Sequence, residues 1–238
     1  MFVKQRCLGF FFKKEDFGES SRVFSLLTKE FGRVEILAKG IRKISSKLKS
    51  ATEIFYLSEI EFVQGKIFKT LTDAVSIEKF KNLRRNLKRL ATAYKISEIL
   101  DLFLKEGREP KCWNLLKEVF EGLDRENLKP DQENLIYQYF FWNFVSLLGY
   151  KPEISECVVC RKKLKPEKNF FSSLEGGIVC QNCFKKEMRG KAIGFQELKV
   201  LRLIFEKDLG FLLKVKIKKE WLSFLRSISE EYIKFCQR

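Results

Sequence analysis

Residues 22–38 read Arg-Val-Phe-Ser-Leu-Leu-Thr-Lys-Glu-Phe-Gly-Arg-Val-Glu-Ile-Leu-Ala. Two β-prone runs, 22–28 and 33–38, flank the step Thr28-Lys29-Glu30-Phe31-Gly32-Arg33, which reads as a hairpin turn with glycine near its end. Three further apolar-rich runs stand at 3–12, 54–63 and 66–71, and Gly18, Gly32, Gly40, Gly65 and Asp73 punctuate the series. Gln64-Gly65 reads as a second tight hairpin. Five short strands in the first third of the chain predict a small barrel of the OB-fold type or a small open sheet. Between the third and fourth strands, residues 40–50 (Gly-Ile-Arg-Lys-Ile-Ser-Ser-Lys-Leu-Lys-Ser) hold no acid and little periodicity. This stretch is expected to be a mobile basic loop.

From Ser76 onward the apolar period becomes helical. Over 81–95, Leu83, Leu87, Leu90 and Tyr94 fall on one side of a helical projection. Lys81, Arg84, Arg85, Lys88 and Lys95 fall on the other. One amphipathic helix with an apolar and a basic face is therefore expected. Further helices are expected at about 89–106, 111–127, 131–148, 195–207 and 217–236. The run 135–148 is apolar nearly all round, as a central buried helix would be; Gly149 and Pro152 end it.

The whole chain has 238 residues, 47 Lys+Arg against 31 Asp+Glu, seven cysteines and no histidine. The excess of +16 points to a polyanionic partner. The missing histidine excludes Ser-His-Asp and Cys-His nucleophiles, His-based zinc enzymes and C₂H₂ fingers. No apolar run approaches the roughly 20 residues that span a bilayer. The first residues lack the apolar core and cleavage site of a signal peptide, so a reducing cytoplasm is expected.

Cys157-Val-Val-Cys160 and Cys180-Gln-Asn-Cys183 form C-x₂-C-x₁₉-C-x₂-C. Each knuckle offers two sulfurs on one turn, and together they make the tetrahedral S₄ set that Zn²⁺ prefers. The Gly176-Gly177 step between them predicts a hairpin, hence a zinc ribbon. One structural zinc is expected, since a Cys₄ site leaves no position for a catalytic water. Four thiolates and one dication would bring the net charge to about +14. Cys7, Cys112 and Cys236 read as apolar thiols.

The positive charge is concentrated. Lys39, Arg42, Lys43, Lys47 and Lys49 lie in one acid-free stretch. Lys79, Lys81, Arg84, Arg85, Lys88, Arg89 and Lys95 lie in another. A solvated surface is the bland reading of either stretch. Both beside one small barrel suit phosphate contact, with the rest of the chain close to charge balance. No Trp/Leu-rich face adjoins the loop, which disfavours an anionic membrane. Phe10, Phe11, Phe12 and Phe17 could stack on bases, although core is the commoner fate of phenylalanine.

At this point the chain resembles the RecO family of bacterial recombination mediators. The resemblance runs through residues 14–23 (Lys-Glu-Asp-Phe-Gly-Glu-Ser-Ser-Arg-Val), 27–33 and 38–43. It continues in Leu147-Leu148-Gly149-Tyr150-Lys151-Pro152 before the first knuckle, and in residues 171–177 before the second. It implies an OB-fold at 1–78, a helical domain at 79–153 and 189–238, and a zinc ribbon at 154–188 inserted within it. It further implies a non-enzymatic bacterial protein of the cytoplasm and nucleoid. Such a protein binds single- and double-stranded DNA, anneals strands, binds the C-terminal tail of single-stranded-DNA-binding protein (SSB), and loads RecA together with RecR. The family's basic barrel surface maps onto Arg22, Arg33, Lys39, Arg42 and Lys43. Lys47, Lys49, Lys81, Arg84, Arg85 and Lys88 are added from charge placement. A proline usual in the basic loop is replaced here by Ile44.

No base-reading helix is evident, so sequence-independent binding is expected. The acidic SSB tail would suit Lys216, Lys218, Lys219 and Arg226 near Trp221 and Phe224. Two other classes compete. An RNA- or ribosome-associated zinc-ribbon factor shares the barrel, charge and metal, and only the resemblance weighs against it. A zinc-containing nucleic-acid enzyme would need a carboxylate cluster for Mg²⁺ or a nucleophile with a base. Asp16 and Glu19 read as well as a surface turn, and no GxxxxGK[ST] occurs.

Overall fold

In the computed structural model, residues 4–65, 67–105, 107, 110–185 and 188–237 are described. Val3, Lys66 and Glu106, at the ends of three expected elements, lie outside them, as do Lys186 and Glu187 near the end of the expected ribbon. The chain divides into two compact units, 1–126 and 127–238.

In the first unit, β1 (Lys4–Phe17) is long enough to serve two neighbours. Its first half pairs antiparallel with β4 (Leu57–Gln64) and its second half with β2 (Ser21–Thr28). A register shift between Phe11 and Lys13 marks a bulge, which bends a strand and lets it turn a barrel corner. β3 (Gly32–Ala38) pairs antiparallel with β2 and parallel with β5 (Lys69–Glu78), and β5 pairs with β4. The order β1-β2-β3-β5-β4 closes on itself, as an OB-fold does. In the β2–β3 turn Gly32 has φ +69°, the conformation that favours glycine. The Thr28 hydroxyl donates to the Gly32 carbonyl at 2.8 Å and accepts the Phe31 N–H at 3.1 Å. Phe11, Phe24, Leu26, Val34, Ile36, Ile60 and Phe62 fill the barrel.

The middle of β1 is buried on both faces. Phe10 turns away from the barrel interior onto Phe80, Trp113 and Phe120. Phe10, Phe11 and Phe12 are core, which removes them as base-stacking candidates. Phe17 is exposed and packs edge-on against Phe68.

The single amphipathic helix expected over 81–95 is two helices, α1 (Lys81–Arg85) and α2 (Leu87–Phe103). Asn86 is extended and breaks the run. Its side chain accepts the N–H groups of Lys88 and Arg89 and so caps α2. The break reorients the second face. Leu83 is buried, but Leu87 is 84% exposed and Arg89 only 9%. The Arg89 guanidinium donates to the carbonyls of Leu123 and Arg125 at 3.2 and 2.8 Å. These lie at the end of α3 (Pro110–Asp124), where helical carbonyls lack intrahelical partners. In return, Asp124 accepts the Leu83 N–H at 2.9 Å.

The second unit is built on α4 (Gln132–Leu147), buried nearly all round as its sequence predicts. α5 (Phe195–Glu206), the short α6 (Leu209–Leu212) and α7 (Lys219–Cys236) complete its helices. Buried Gln138 accepts the Trp142 indole N–H at 3.1 Å and reaches Ser229 at 3.4 Å, so its amide is satisfied. Strands β6 (Asn169–Ser172), β7 (Gly177–Cys180) and β8 (Lys191–Ile193) form a sheet in the order β7-β6-β8. Phe171 of β6 packs between Trp142 and Tyr232 and joins this sheet to the helices. Among the described residues no helix is long and apolar enough to cross a membrane.

Candidate nucleic-acid interface and metal site

The Sγ atoms of Cys157, Cys160, Cys180 and Cys183 all lie within 4.8 Å of one another. A tetrahedron with Zn–S bonds of about 2.3 Å has edges of about 3.8 Å; the Cys160 and Cys180 sulfurs stand 4.0 Å apart. Each knuckle is a hydrogen-bonded turn. Arg161 donates its N–H to the Cys157 carbonyl at 2.8 Å, and Cys183 and Phe184 donate theirs to the Cys180 carbonyl at 3.1 Å. Burial opposes charge on Cys157, but the backbone N–H groups of Cys160, Cys180 and Val159 outweigh it and lower its pKa to about 6. The adjoining sulfurs of Cys180 and Cys160 push Cys183 up to about 12. Cys157 thus gives up its proton readily while Cys183 holds its own, a charge conflict that a dication resolves. Four soft donors at these distances can hold one metal ion and offer it no further position.

The basic stretch after β3 is folded rather than mobile. Turns over 39–45 lead into a 3₁₀ helix at Lys47–Ala51. Ile41 is 1% exposed in the barrel core, and Leu48 packs against the same cluster. Arg42 donates its N–H to the Ser20 carbonyl at 2.9 Å, and the Gly40 N–H meets the Ser21 hydroxyl at 3.2 Å. Ile44 points into solvent. Lys39, Lys43, Lys47 and Lys49 are exposed, and among the described residues none has a carboxylate partner. Asp16 holds Arg22 at 2.6 Å and Arg42 at 3.3 Å. The Arg22 hydrogen bond, helped by the Arg42 charge, keeps the Asp16 carboxyl below the usual carboxylate range.

The two matching sequence descriptions read "Recombination protein O N terminal" over residues 1–80 and "Recombination protein O C terminal" over residues 84–235. The chain belongs to the RecO family. A curated relative named DNA repair protein RecO, from Dehalococcoides mccartyi strain 195, is 35% identical over 224 residues, covering 94% of this chain and 87% of the relative. One of the same name from Halalkalibacterium halodurans is 28% identical over 225 residues, covering 94% and 86%. A third, from Bacillus velezensis, is 28% identical over 229 residues, covering 95% and 87%.

In this RecO-family chain the sequence-derived cations do not form one group. Arg33 is a structural residue. Its guanidinium donates to the Asp101 and Leu104 carbonyls and to the Asp101 carboxylate, and it lies over the Phe12 ring. Arg84 donates to the Ile54 carbonyl at 2.7 Å and covers Tyr56. Both carry charge into intramolecular contacts, because a planar guanidinium can satisfy several carbonyls at once. Lys81, Arg85 and Lys88 are exposed.

A third basic stretch was hidden by counting the remainder of the chain as balanced. Arg161, Lys162, Lys163, Lys165 and Lys168 are exposed on the ribbon. Five cations in the eight residues 161–168, against Glu167 alone, are a local signal that a whole-chain sum averages away. Arg161 is drawn towards Glu156 at 3.5 Å.

Proposed function

We propose that this chain is a non-enzymatic recombination mediator in bacterial DNA repair, acting at the nucleoid in the cytoplasm. It binds single- and double-stranded DNA without regard to sequence and anneals complementary strands. With SSB and RecR it loads RecA. Family membership and the relatives' shared name, DNA repair protein RecO, support the repair role. The partners follow from the family resemblance. The ion in the cysteine quartet is one structural Zn²⁺, the metal that four thiolates in a closed tetrahedron suit best.

One observation carries the DNA-binding reading. Lys39, Lys43, Lys47 and Lys49 project from a turn whose backbone is fastened to the barrel by Ile41 and Leu48. Fixed cations neutralise a phosphate backbone and leave base edges free to pair. Two strands so held lose the repulsion that slows annealing.

The experiment is annealing of SSB-coated complementary oligonucleotides by the full chain and by a Lys39→Glu, Lys43→Glu, Lys47→Glu variant. Annealing should fall sharply in the variant. Its log–log salt dependence for single-stranded DNA should flatten by about 0.7 for each phosphate no longer neutralised. Undiminished annealing, or binding that ignores salt, overturns the proposal. Stronger binding to structured RNA than to DNA in competition favours the ribosome-associated alternative.

A further inference from the structure

A cleft of about 550 Å³ opens in the second unit between the ribbon and α7. Ser173, Arg189, Lys191, Glu231 and Lys234 supply its polar lining. The Ser172 hydroxyl donates to the Arg189 carbonyl at 2.7 Å and holds that segment against the end of β6. Gly190 permits the approach, since a Cβ there would stand 2.9 Å from the Phe171 carbonyl oxygen. Lys191 is already engaged. Its ammonium lies 2.6 Å from Glu231 and donates to the Ser227 carbonyl at 3.2 Å. Among the described residues, Arg189 and Lys234 have no carboxylate partner.

The Ser173 hydroxyl is the one buried side-chain polar atom among the described residues that lacks a hydrogen-bond partner. That hydroxyl is closed off from solvent and belongs to the packing behind the cleft wall. Arg189 and Lys234 are exposed on the cleft and free of carboxylates, and an oxyanion suits both, facing the guanidinium fork and neutralising the ammonium.

We propose that this cleft binds a backbone phosphodiester of DNA, giving the second unit its own strand contact apart from the basic turn on the barrel. The inference rests on the DNA-binding reading above. The open cleft suits a phosphate carried on a passing strand, and its two cations without carboxylate partners suit one phosphate group.

The test is binding of the full chain to single-stranded oligothymidylate across a salt series. An Arg189→Gln, Lys234→Gln variant should bind roughly tenfold more weakly, with a slope flatter by about 0.7 because one phosphate fewer is neutralised. A Lys199→Gln, Lys207→Gln variant removes equal charge from exposed positions of the same unit and sets the baseline. Inorganic phosphate, titrated into the DNA-free chain, is the small-ion arm. The site is overturned if the cleft variant binds no more weakly than the charge-matched one. It is also overturned if phosphate saturates the cleft while DNA binding ignores Arg189→Gln, Lys234→Gln. Should Lys43→Ala, Lys47→Ala weaken binding while the cleft variant does not, this site alone fails. A parent chain that binds no DNA sinks both readings.

Discussion

Arg33 and Asp101 face each other at 2.8 Å, and through them the third strand of the barrel is fastened to the end of α2. The same guanidinium takes the carbonyls of Asp101 and Leu104 at 2.9 Å. The family resemblance places Arg33 on a DNA-binding surface; its side chain is only 13% exposed. Replacing it with alanine should cost about 2 kcal/mol, because two helix-end carbonyls and a carboxylate are left without their donor. Thermal unfolding should move down by roughly 4–8 °C. The salt slope of DNA binding should stay as in the parent. A flatter slope with unchanged stability would return Arg33 to the DNA surface.

Asp101 makes a prediction of its own. Burial opposes its charge, but hydrogen bonds from Lys13 and Arg33 outweigh that and hold its carboxyl below the usual carboxylate value. A carboxyl whose folded pKa is lowered binds its proton more weakly in the folded chain than in the unfolded one. Its contribution is complete above about pH 4, the ordinary Asp value, and is lost as pH falls through the lower folded value. Asp101→Asn should therefore be less stable than the parent at neutral pH. The gap should close on acidification below about pH 4. Denaturant unfolding at stepped pH reads this directly, and a gap independent of pH would contradict it.

Arg89 illustrates what sequence reasoning could not see. The projection over 81–95 assumed one unbroken helix, and one extended residue, Asn86, was enough to invalidate it. Asparagine is a common N-cap, so a start signal was present, but nothing local announced that Arg89 would be drawn inward by carbonyls more than thirty residues away. The basic turn failed for the same reason. Ile41 and Leu48 become anchors only once the barrel core exists to receive them. By contrast, the first four strands, the apolar helix α4 and the cysteine spacing are local patterns found close to where the sequence puts them. β5 instead runs over Lys69–Glu78, past the expected turn at Asp73 and into the stretch read as helical, because its pairing with β4 carries it on. Arg89→Ala should cost about 2–3 kcal/mol through its unpaired carbonyls. Asn86→Ala should cost about 1 kcal/mol through removal of the cap. Chemical denaturation measures both, and parity between the two variants would discount the Arg89 hydrogen bonds.

The cysteine quartet predicts one metal ion per chain. Cys157→Ser should abolish stoichiometric zinc uptake, and Zn²⁺ affinity should fall as pH is lowered, because every ligand must shed its proton. Phe171 packs on Trp142, so loss of the metal should also alter the environment of that indole. Chelator titration followed by tryptophan fluorescence tests the coupling. An unchanged spectrum in the metal-free chain would show that the ribbon sheet holds without its ion.

The C-terminal cations divide once their surroundings are known. Lys218 lies over the Trp221 ring at 5.6 Å, and Arg226 pairs with Glu230 at 3.0 Å. Lys216 instead lines a cleft of about 290 Å³ together with Lys129 and Lys214, and Leu135, Leu213 and Leu222 supply apolar walls. Cations around an apolar floor suit an acidic peptide that ends in hydrophobic residues, the character of the SSB tail in the family resemblance. Lys214→Glu with Lys216→Glu should weaken binding of such a peptide at least tenfold, by opposing its charge at the rim. Lys219→Glu, outside the cleft, should matter much less. Both variants should still anneal naked oligonucleotides, and the first should fail selectively on SSB-coated strands. Fluorescence anisotropy with a labelled peptide decides the point. Equal weakening in the two variants would mean that general charge, not this cleft, recruits the tail.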